Sequence, residues 1–247
     1  MLKLSDFAGR LLRTDSPDTL GIPTQNLIEE AIDKGDYEEA KNLNRTSLNE
    51  FKALHDLYCD WVWDMLSKIS DRFGENEVYT ILRATQEKWM LKRTWKAFSK
   101  MDVKTQVDLT AEVMRTHRCG PKQDGELIIS EDQEKYSITM DPCGSGGRMR
   151  RGDPIDGTPS RLGPPYNFGV TKQKHSWSWG KKGVPLYCTH CAVNEILPIE
   201  WGGYPLWVTD YNEDEKQPCR WLFYKKSSQI PEKYWSFISR NRCRTRF

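Results

Sequence analysis

The sequence lacks a long hydrophobic run. None of its 247 residues belongs to a stretch resembling the roughly 18 or more uncharged apolar residues that span a membrane. The opening residues MLKLSDF also lack the apolar core of a secretory signal. We therefore expect no contact with membranes and a cytoplasmic location.

A strong charge of either sign is also absent. Lys and Arg together number 37 and Asp and Glu 35, so the net charge is +2. Residues 1–118 carry a net charge of −2 and residues 119–247 a net charge of +4. Nucleic-acid-binding domains usually have a basic stripe or a pI above about 9, so this small asymmetry does not indicate a nucleic-acid partner.

The sequence contains none of the common catalytic signatures. It has no phosphate-binding P-loop, no Gly-x-Gly-x-x-Gly dinucleotide motif, no Gly-x-Ser-x-Gly elbow and no His-Glu-x-x-His helix. Classical zinc fingers and zinc ribbons are excluded too, because a second ligand pair at short spacing is missing. The residues match no family that would supply a function.

The first half of the chain has helical periodicity. Between Leu48 and Phe73, apolar residues recur at spacings of three and four, and Gly74 then provides a C-terminal stop. Similar patterns predict helices on either side of Gly35, from 75 to 98, and from 103 to 114.

The second half has the composition of a β region. Residues 127–129 and 136–140 flank a polar segment, as in a β-hairpin. Further strand-like runs cover 175–180, 184–187, 204–211 and 219–224, and a Gly- and Pro-rich segment at 143–169 predicts a long loop. The sequence therefore predicts an α+β fold. A helical bundle or layer (1–118) precedes a loop-rich antiparallel β domain (119–247) with a Cys/His metal site.

The most informative motif is Cys188-Thr-His-Cys191. Two thiolates separated by two residues can hold one metal ion, but they form only half of a tetrahedral site. We predict that Cys143 and His175 complete it. The other candidates are Cys119, Cys219, His117 and His190.

Two alternatives remain for this motif, a redox dithiol and a pair of buried apolar thiols. Redox pairs open a helix after a strand in a βαβ unit, whereas Trp, Pro and Gly flank this motif. An odd number of cysteines, seven, without an export signal also favours thiols that are free or metal-bound. Zinc is the expected cofactor, with iron or an iron–sulfur cluster as the alternative.

A second cluster of signals follows Cys143. Gly146 and Gly147 leave the backbone open, and Arg148 and Arg150 could then bind a carboxylate or phosphate. Trp177 would wall such a pocket. The alternative is a flexible basic loop on the surface.

Two functions are consistent with these patterns. The first is a metal-dependent enzyme with hydrolytic or lyase-type chemistry on a small anionic molecule, in which Glu195 or Glu200 moves the proton. The second is a non-catalytic binding or accessory protein stapled by a structural zinc site. The sequence favours the enzyme by a small margin and leaves homo-oligomerisation open.

Overall fold

The computed structural model describes residues 2–7 and 10–235. The chain divides into two compact units, Met1–Tyr58 and Cys59–Phe247. The α-helices are α1 (Pro17–Leu20), α2 (Thr24–Asp33), α3 (Tyr37–Phe73), α4 (Glu75–Thr85), α5 (Leu91–Phe98), α6 (Val103–Arg115), α7 (Gly146–Arg151) and α8 (Thr189–Gly202). The strands are β1 (Leu2–Ser5), β2 (Arg10–Arg13), β3 (Ile128–Glu131), β4 (Lys135–Met140), β5 (Val208–Asp210) and β6 (Cys219–Tyr224).

The first unit joins a small hairpin to helices. Strands β1 and β2 pair antiparallel, and the sequence did not predict them. Helix α2 and the start of α3 enclose a core of Ala31, Ala40 and Leu43. Gly35 lies between these helices with a φ of +75°, a conformation that glycine adopts without steric cost. The predicted break at Gly35 is therefore confirmed.

The helices predicted for the rest of the first half are also confirmed. Helix α3 ends at Phe73, and Gly74 follows with a φ of +88°. A π-helical turn, Gln86–Met90, connects α4 to α5. Asp102 caps α6 by accepting a hydrogen bond from the Thr105 amide at 3.0 Å.

The second unit contains a four-stranded antiparallel sheet in the order β3-β4-β6-β5. The predicted hairpin is confirmed as β3 and β4, so the fold mixes helix and sheet as expected. Helix α6 covers this sheet, because Val107, Ala111 and Met114 pack against Ile138 and Phe223. The predicted boundary between residues 118 and 119 rests on composition alone and stays a prediction.

Two segments predicted as strands are helical. Residues 175–180 contain the 3-10 helix Ser176–Ser178, and residues 184–187 lead into the 3-10 helix Leu186–Cys188 and then α8. Residues Ala192 to Ile199 of α8 are all buried. A helix that is apolar on every side has no amphipathic period, so periodicity could not reveal α8.

The segment 143–169 is irregular as predicted over residues 152–169, but its first part is helical and buried. It contains the short helix α7, in which residues 146–150 are buried. Met149 is fully buried in a second core with Trp63, Leu66 and Val78. This packing places the glycine- and arginine-rich motif inside the second unit, beside the helix that carries Cys191.

Candidate thiol centre

Four cysteines converge from three parts of the second unit. Cys219 is the first residue of β6 and pairs across the sheet with Met140, the last residue of β4. Cys143 follows β4 by three residues and therefore lies at the same edge of the sheet. Cys188 and Cys191 lie at the N-terminus of α8. Each of the four cysteines keeps partial solvent exposure.

The four thiols share their surroundings. Cys188, Cys191 and Cys219 pack against one apolar cluster that includes Trp179 and Tyr211. Cys143 and Cys191 also pack against the core beneath the sheet. Cys191 contacts both of these clusters, so the four cysteines adjoin one another. We call Cys143, Cys188, Cys191 and Cys219 the thiol centre.

Helix α7 approaches the thiol centre as closely as its backbone allows. A methyl group added at Gly146 would overlap the sulfur of Cys188. A methyl group at Gly147 would lie 2.9 Å from the Cβ of Cys143. These two glycines are therefore required by the proximity of the thiols. The sequence prediction that they form an open cradle for an anion has no support from this packing.

The apolar surroundings disfavour ionisation of Cys188, Cys191 and Cys219. Burial raises the pKa of Cys188 and Cys191 well above the ordinary value, and the neighbouring thiols raise it further. The pKa of Cys219 is raised by burial and then by Cys143. Thiolates would form in this centre only with a compensating cation.

Arg150 of α7 is a cation within electrostatic range of Cys188 and Cys219. Its side chain is buried, with 4% of the residue exposed. It donates hydrogen bonds to the Tyr211 hydroxyl and to the Asn212 carbonyl, each at 2.8 Å. It was predicted to bind substrate, and the structure instead places it beside the thiol centre with protein acceptors.

A stack of aromatic rings connects this cation to a buried acid. The Arg150 guanidinium lies 5.1 Å from the ring centroid of Tyr211, which stacks on Trp179 at 4.8 Å. The Trp179 indole and the Thr209 amide donate to Glu195, at 3.3 and 2.8 Å. Burial raises the pKa of Glu195 to about 8. Of the two predicted catalytic carboxylates, Glu195 therefore lies at the thiol centre, where it is electrostatically coupled to Cys191.

Glu200, the other predicted catalytic carboxylate, lies elsewhere. It forms a two-pronged ion pair with Arg83 of α4, one contact of which measures 2.8 Å. Because α8 turns about 100° per residue, Glu195 and Glu200 project from it in different directions. Glu200 joins α8 to α4 and makes its contacts away from the cysteines.

His175, the predicted fourth ligand, is engaged with other groups. Its Nε2 lies 2.5 Å from the carboxylate of Glu75, and its ring stacks on Trp177 at 4.3 Å. Trp177 in turn stacks on Tyr79 of α4. The two residues predicted as metal ligand and pocket wall therefore form a group of their own with α4. Cys219, one of the other candidates, lies with the remaining cysteines instead.

Arg148 belongs to a buried polar network. Its Nη1 contacts Asp153 at 2.6 Å and its Nε donates to the Gly144 carbonyl at 2.9 Å. Asp153 also pairs with Arg118 at 3.3 Å and accepts a bond from Gln123. Arg148 is only 1% exposed. Its predicted role in binding a substrate anion would therefore require the anion to displace Asp153.

The remaining cysteines lie outside the thiol centre. The Cys119 sulfur accepts a hydrogen bond from the Gly144 amide at 3.3 Å, and burial raises the pKa of its thiol to about 12. The Cys59 sulfur lies 3.4 Å from the Tyr187 hydroxyl. Cys243 falls outside the described residues.

The side chains of the thiol centre are not set in a ligating arrangement. Among residues 2–7 and 10–235, no group of three or more His, Cys, Asp or Glu side chains is arranged to hold a metal ion. The Cys143 sulfur is 3.8 Å from the Ser145 hydroxyl, and the Cys191 sulfur is 3.5 Å from Nε2 of His190. The donor set consists of soft sulfur ligands, which suit zinc and iron–sulfur clusters.

Comparisons with known proteins add no functional assignment. No protein-family model, no curated protein and no solved structure matches this chain. Within the described part of the chain, no helix has both the length and the apolar character needed to cross a membrane.

Proposed function

We propose that this chain is a metal-binding protein that holds one zinc ion through Cys143, Cys188, Cys191 and Cys219. The observation that carries the proposal is the convergence of four cysteines, from a loop, a helix N-terminus and a strand end, on two apolar clusters that both contact Cys191. Thiolates are the preferred ligands of structural zinc sites. The ion would staple the α7 segment, α8 and β6 together.

Zinc binding requires the sulfurs to turn toward a common point and to lose their protons. Rotation about χ1 moves a sulfur without moving the backbone. The contacts that would be given up, to the Ser145 hydroxyl and the His190 ring, are long and weak. The bond energy of the ion offsets the cost of ionising thiols whose pKa is raised.

Four sulfur ligands leave no open position for water or substrate, which supports a binding or accessory protein with a structural metal site. The arginines that were predicted to orient an anionic substrate are both buried and hydrogen-bonded within the protein. Glu200, which could have served as a general base, is ion-paired with Arg83.

Glu195 supports a second candidate, a metal-dependent hydrolase or lyase. Its pKa of about 8 is suited to proton transfer near neutral pH, and it is coupled to Cys191. This function requires that Cys219 is not a ligand, so that three cysteines leave one coordination position for water.

Metal analysis of the protein purified without added metal tests the proposal. We expect about one zinc per chain in the wild type and in the control Cys119→Ser, whose thiol lies outside the centre. Cys188→Ser and Cys191→Ser should lose the ion and melt at a lower temperature. A metal-free wild type that also takes up no added zinc would refute the proposal, and oxidation to a Cys188–Cys191 disulfide in that protein would indicate a redox dithiol.

Cys219→Ser separates the two candidates. A closed four-sulfur site predicts that this variant loses zinc or binds it much more weakly. Retention of stoichiometric zinc with wild-type affinity would leave a three-cysteine site with an open position, and would favour the enzyme. Iron and sulfide in the purified protein, with a brown colour, would identify an iron–sulfur cluster instead.

A further inference from the structure

Arg150 differs from the other buried arginines in having no anionic partner. Its acceptors are the Tyr211 hydroxyl and the carbonyls of Asn212 and Asp214, at 2.8, 2.8 and 3.4 Å. Its Nε has no hydrogen-bond partner within the described part of the chain. Throughout residues 2–7 and 10–235, no carboxylate lies within ion-pair distance of its guanidinium.

The other deeply buried arginines pair with carboxylates. Arg148 contacts Asp153 at 2.6 Å, and Arg161 contacts Asp60 at 2.8 Å. A guanidinium cannot shed its proton inside a protein, and an uncompensated charge in an apolar interior is strongly disfavoured. Arg150 therefore requires a negative charge that the carboxylates do not provide.

The groups able to provide that charge are thiolates. Cys188 of α8 and Cys219 of β6 pack against the apolar cluster that contains Tyr211, and the Tyr211 ring lies 5.1 Å from the Arg150 guanidinium. As neutral thiols they offer no counter-charge. Four thiolates around one divalent ion keep a net charge of about −2, which a neighbouring guanidinium would partly neutralise.

We propose that Arg150 is the resident counter-cation of the thiol centre, a positioning residue that stabilises the zinc–thiolate form. This inference rests on the proposed function. Tyr211 and the Asn212 carbonyl orient the guanidinium, and the stacked rings of Tyr211 and Trp179 pack against Cys188, Cys191 and Cys219. The positive charge of Arg150 therefore favours a zinc–thiolate complex that carries a net negative charge.

The test is the zinc affinity of Arg150 variants, measured by competition with a chromophoric chelator at constant pH. Arg150→Gln keeps hydrogen-bonding capacity and removes the charge, so we expect its dissociation constant for Zn²⁺ to rise about tenfold to a hundredfold. Arg150→Lys keeps the charge and should stay within about threefold of the wild type. Arg161→Gln removes a buried arginine that has its own carboxylate and serves as the matched control.

A purely structural role predicts a different result. If the role of Arg150 is only structural, its variants should melt at a lower temperature by the same amount with zinc and after chelator treatment. If Arg150 is a counter-cation, its variants should chiefly show a smaller increase in melting temperature on zinc binding. Equal zinc affinity in Arg150→Gln and wild type would overturn the inference while leaving the zinc site intact. Failure of the wild type to bind zinc would remove both proposals. If Arg150→Gln does not fold, Arg150→Met is judged by the same affinity criterion.

Discussion

Arg148 and Arg150 are two residues apart on α7, both almost fully buried, and differ in the charge that faces them. Arg148 shares the carboxylate of Asp153 with Arg118. Among the residues that the structure describes, Arg150 has neutral acceptors alone, and it lies over Tyr211, which packs with Cys188 and Cys219. The first arginine has its counter-charge within the protein alone. On our proposal, the second would gain its counter-charge when the thiols bind zinc.

The largest expected loss of stability comes from Asp153, the partner of Arg148. Because this ion pair includes no proposed zinc ligand, the loss should not depend on the metal. Asp153→Asn leaves Arg148 and Arg118 without the carboxylate that they share, which should lower the free energy of unfolding by about 3 to 5 kcal/mol. Chemical denaturation measures this loss, which should be the same in zinc-loaded and chelator-treated protein. Asp156 contacts the same Arg118 at 3.3 Å from a more exposed position, so the comparison variant Asp156→Asn should cost only about 0 to 1 kcal/mol. If Asp153→Asn lowered the free energy of unfolding only in the zinc-loaded protein, Arg148 and Arg150 would not differ in their dependence on the metal.

Glu195 predicts a pH effect at the thiol centre. Its pKa in the folded protein is raised from 4.5 to about 8 by burial, so its protonated form contributes stability that is complete below pH 4.5. That contribution is lost as the pH rises toward 8. At about 1.4 kcal/mol per pKa unit, the loss is on the order of a few kcal/mol.

The variant Glu195→Gln isolates this effect in chelator-treated protein. Its oxygen can still accept the bonds from Thr209 and Trp179, and it does not ionise. Urea midpoints at pH 5 and pH 8 should therefore differ less in Glu195→Gln than in the wild type. The same pH dependence in both proteins would show that Glu195 is ionised in the folded state throughout this range.

Gly146 predicts a smaller effect that is directed at the metal. A methyl group there overlaps the Cys188 sulfur, so Gly146→Ala should cost about 1 to 3 kcal/mol through overpacking and should weaken zinc binding as well. Gly163→Ala is the matched control, since a methyl group at Gly163 meets no atom within 4 Å. Thermal melting and zinc titration together measure the two effects. If Gly146→Ala and Gly163→Ala bound zinc with equal affinity, the backbone of α7 would not be packed against the metal site.

Periodicity predicted the helices that have one buried face and missed the helix that is buried all round. Trp61 and Trp63 illustrate the first case, because two residues apart on a helix they cannot share a face. Trp63 is fully buried and Trp61 is 60% exposed. Helix α8 illustrates the second case. Its sequence contains Pro198 and a run of apolar residues, so the sequence pattern gives no helical signal, and the helix is seen only in the structure.

The candidate site was predictable in part for a similar reason. The spacing of Cys188 and Cys191 is local and visible in the sequence, whereas the pairing of β4 with β6 that brings Cys219 beside Cys143 is not. The sequence also could not identify Arg150 as a buried residue. A run of arginines is typical of solvated surface, and only the tertiary structure gives Arg148 and Arg150 their different surroundings.

X-ray absorption at the zinc edge of the purified protein tests the central claim most directly, because it counts the atoms bound to the ion and identifies their elements. The account predicts a single shell of four sulfurs at about 2.3 Å. Cys119→Ser should give the same shell, and Cys219→Ser should not. A shell containing nitrogen or oxygen at about 2.0 to 2.2 Å in the wild type would contradict the closed four-cysteine site.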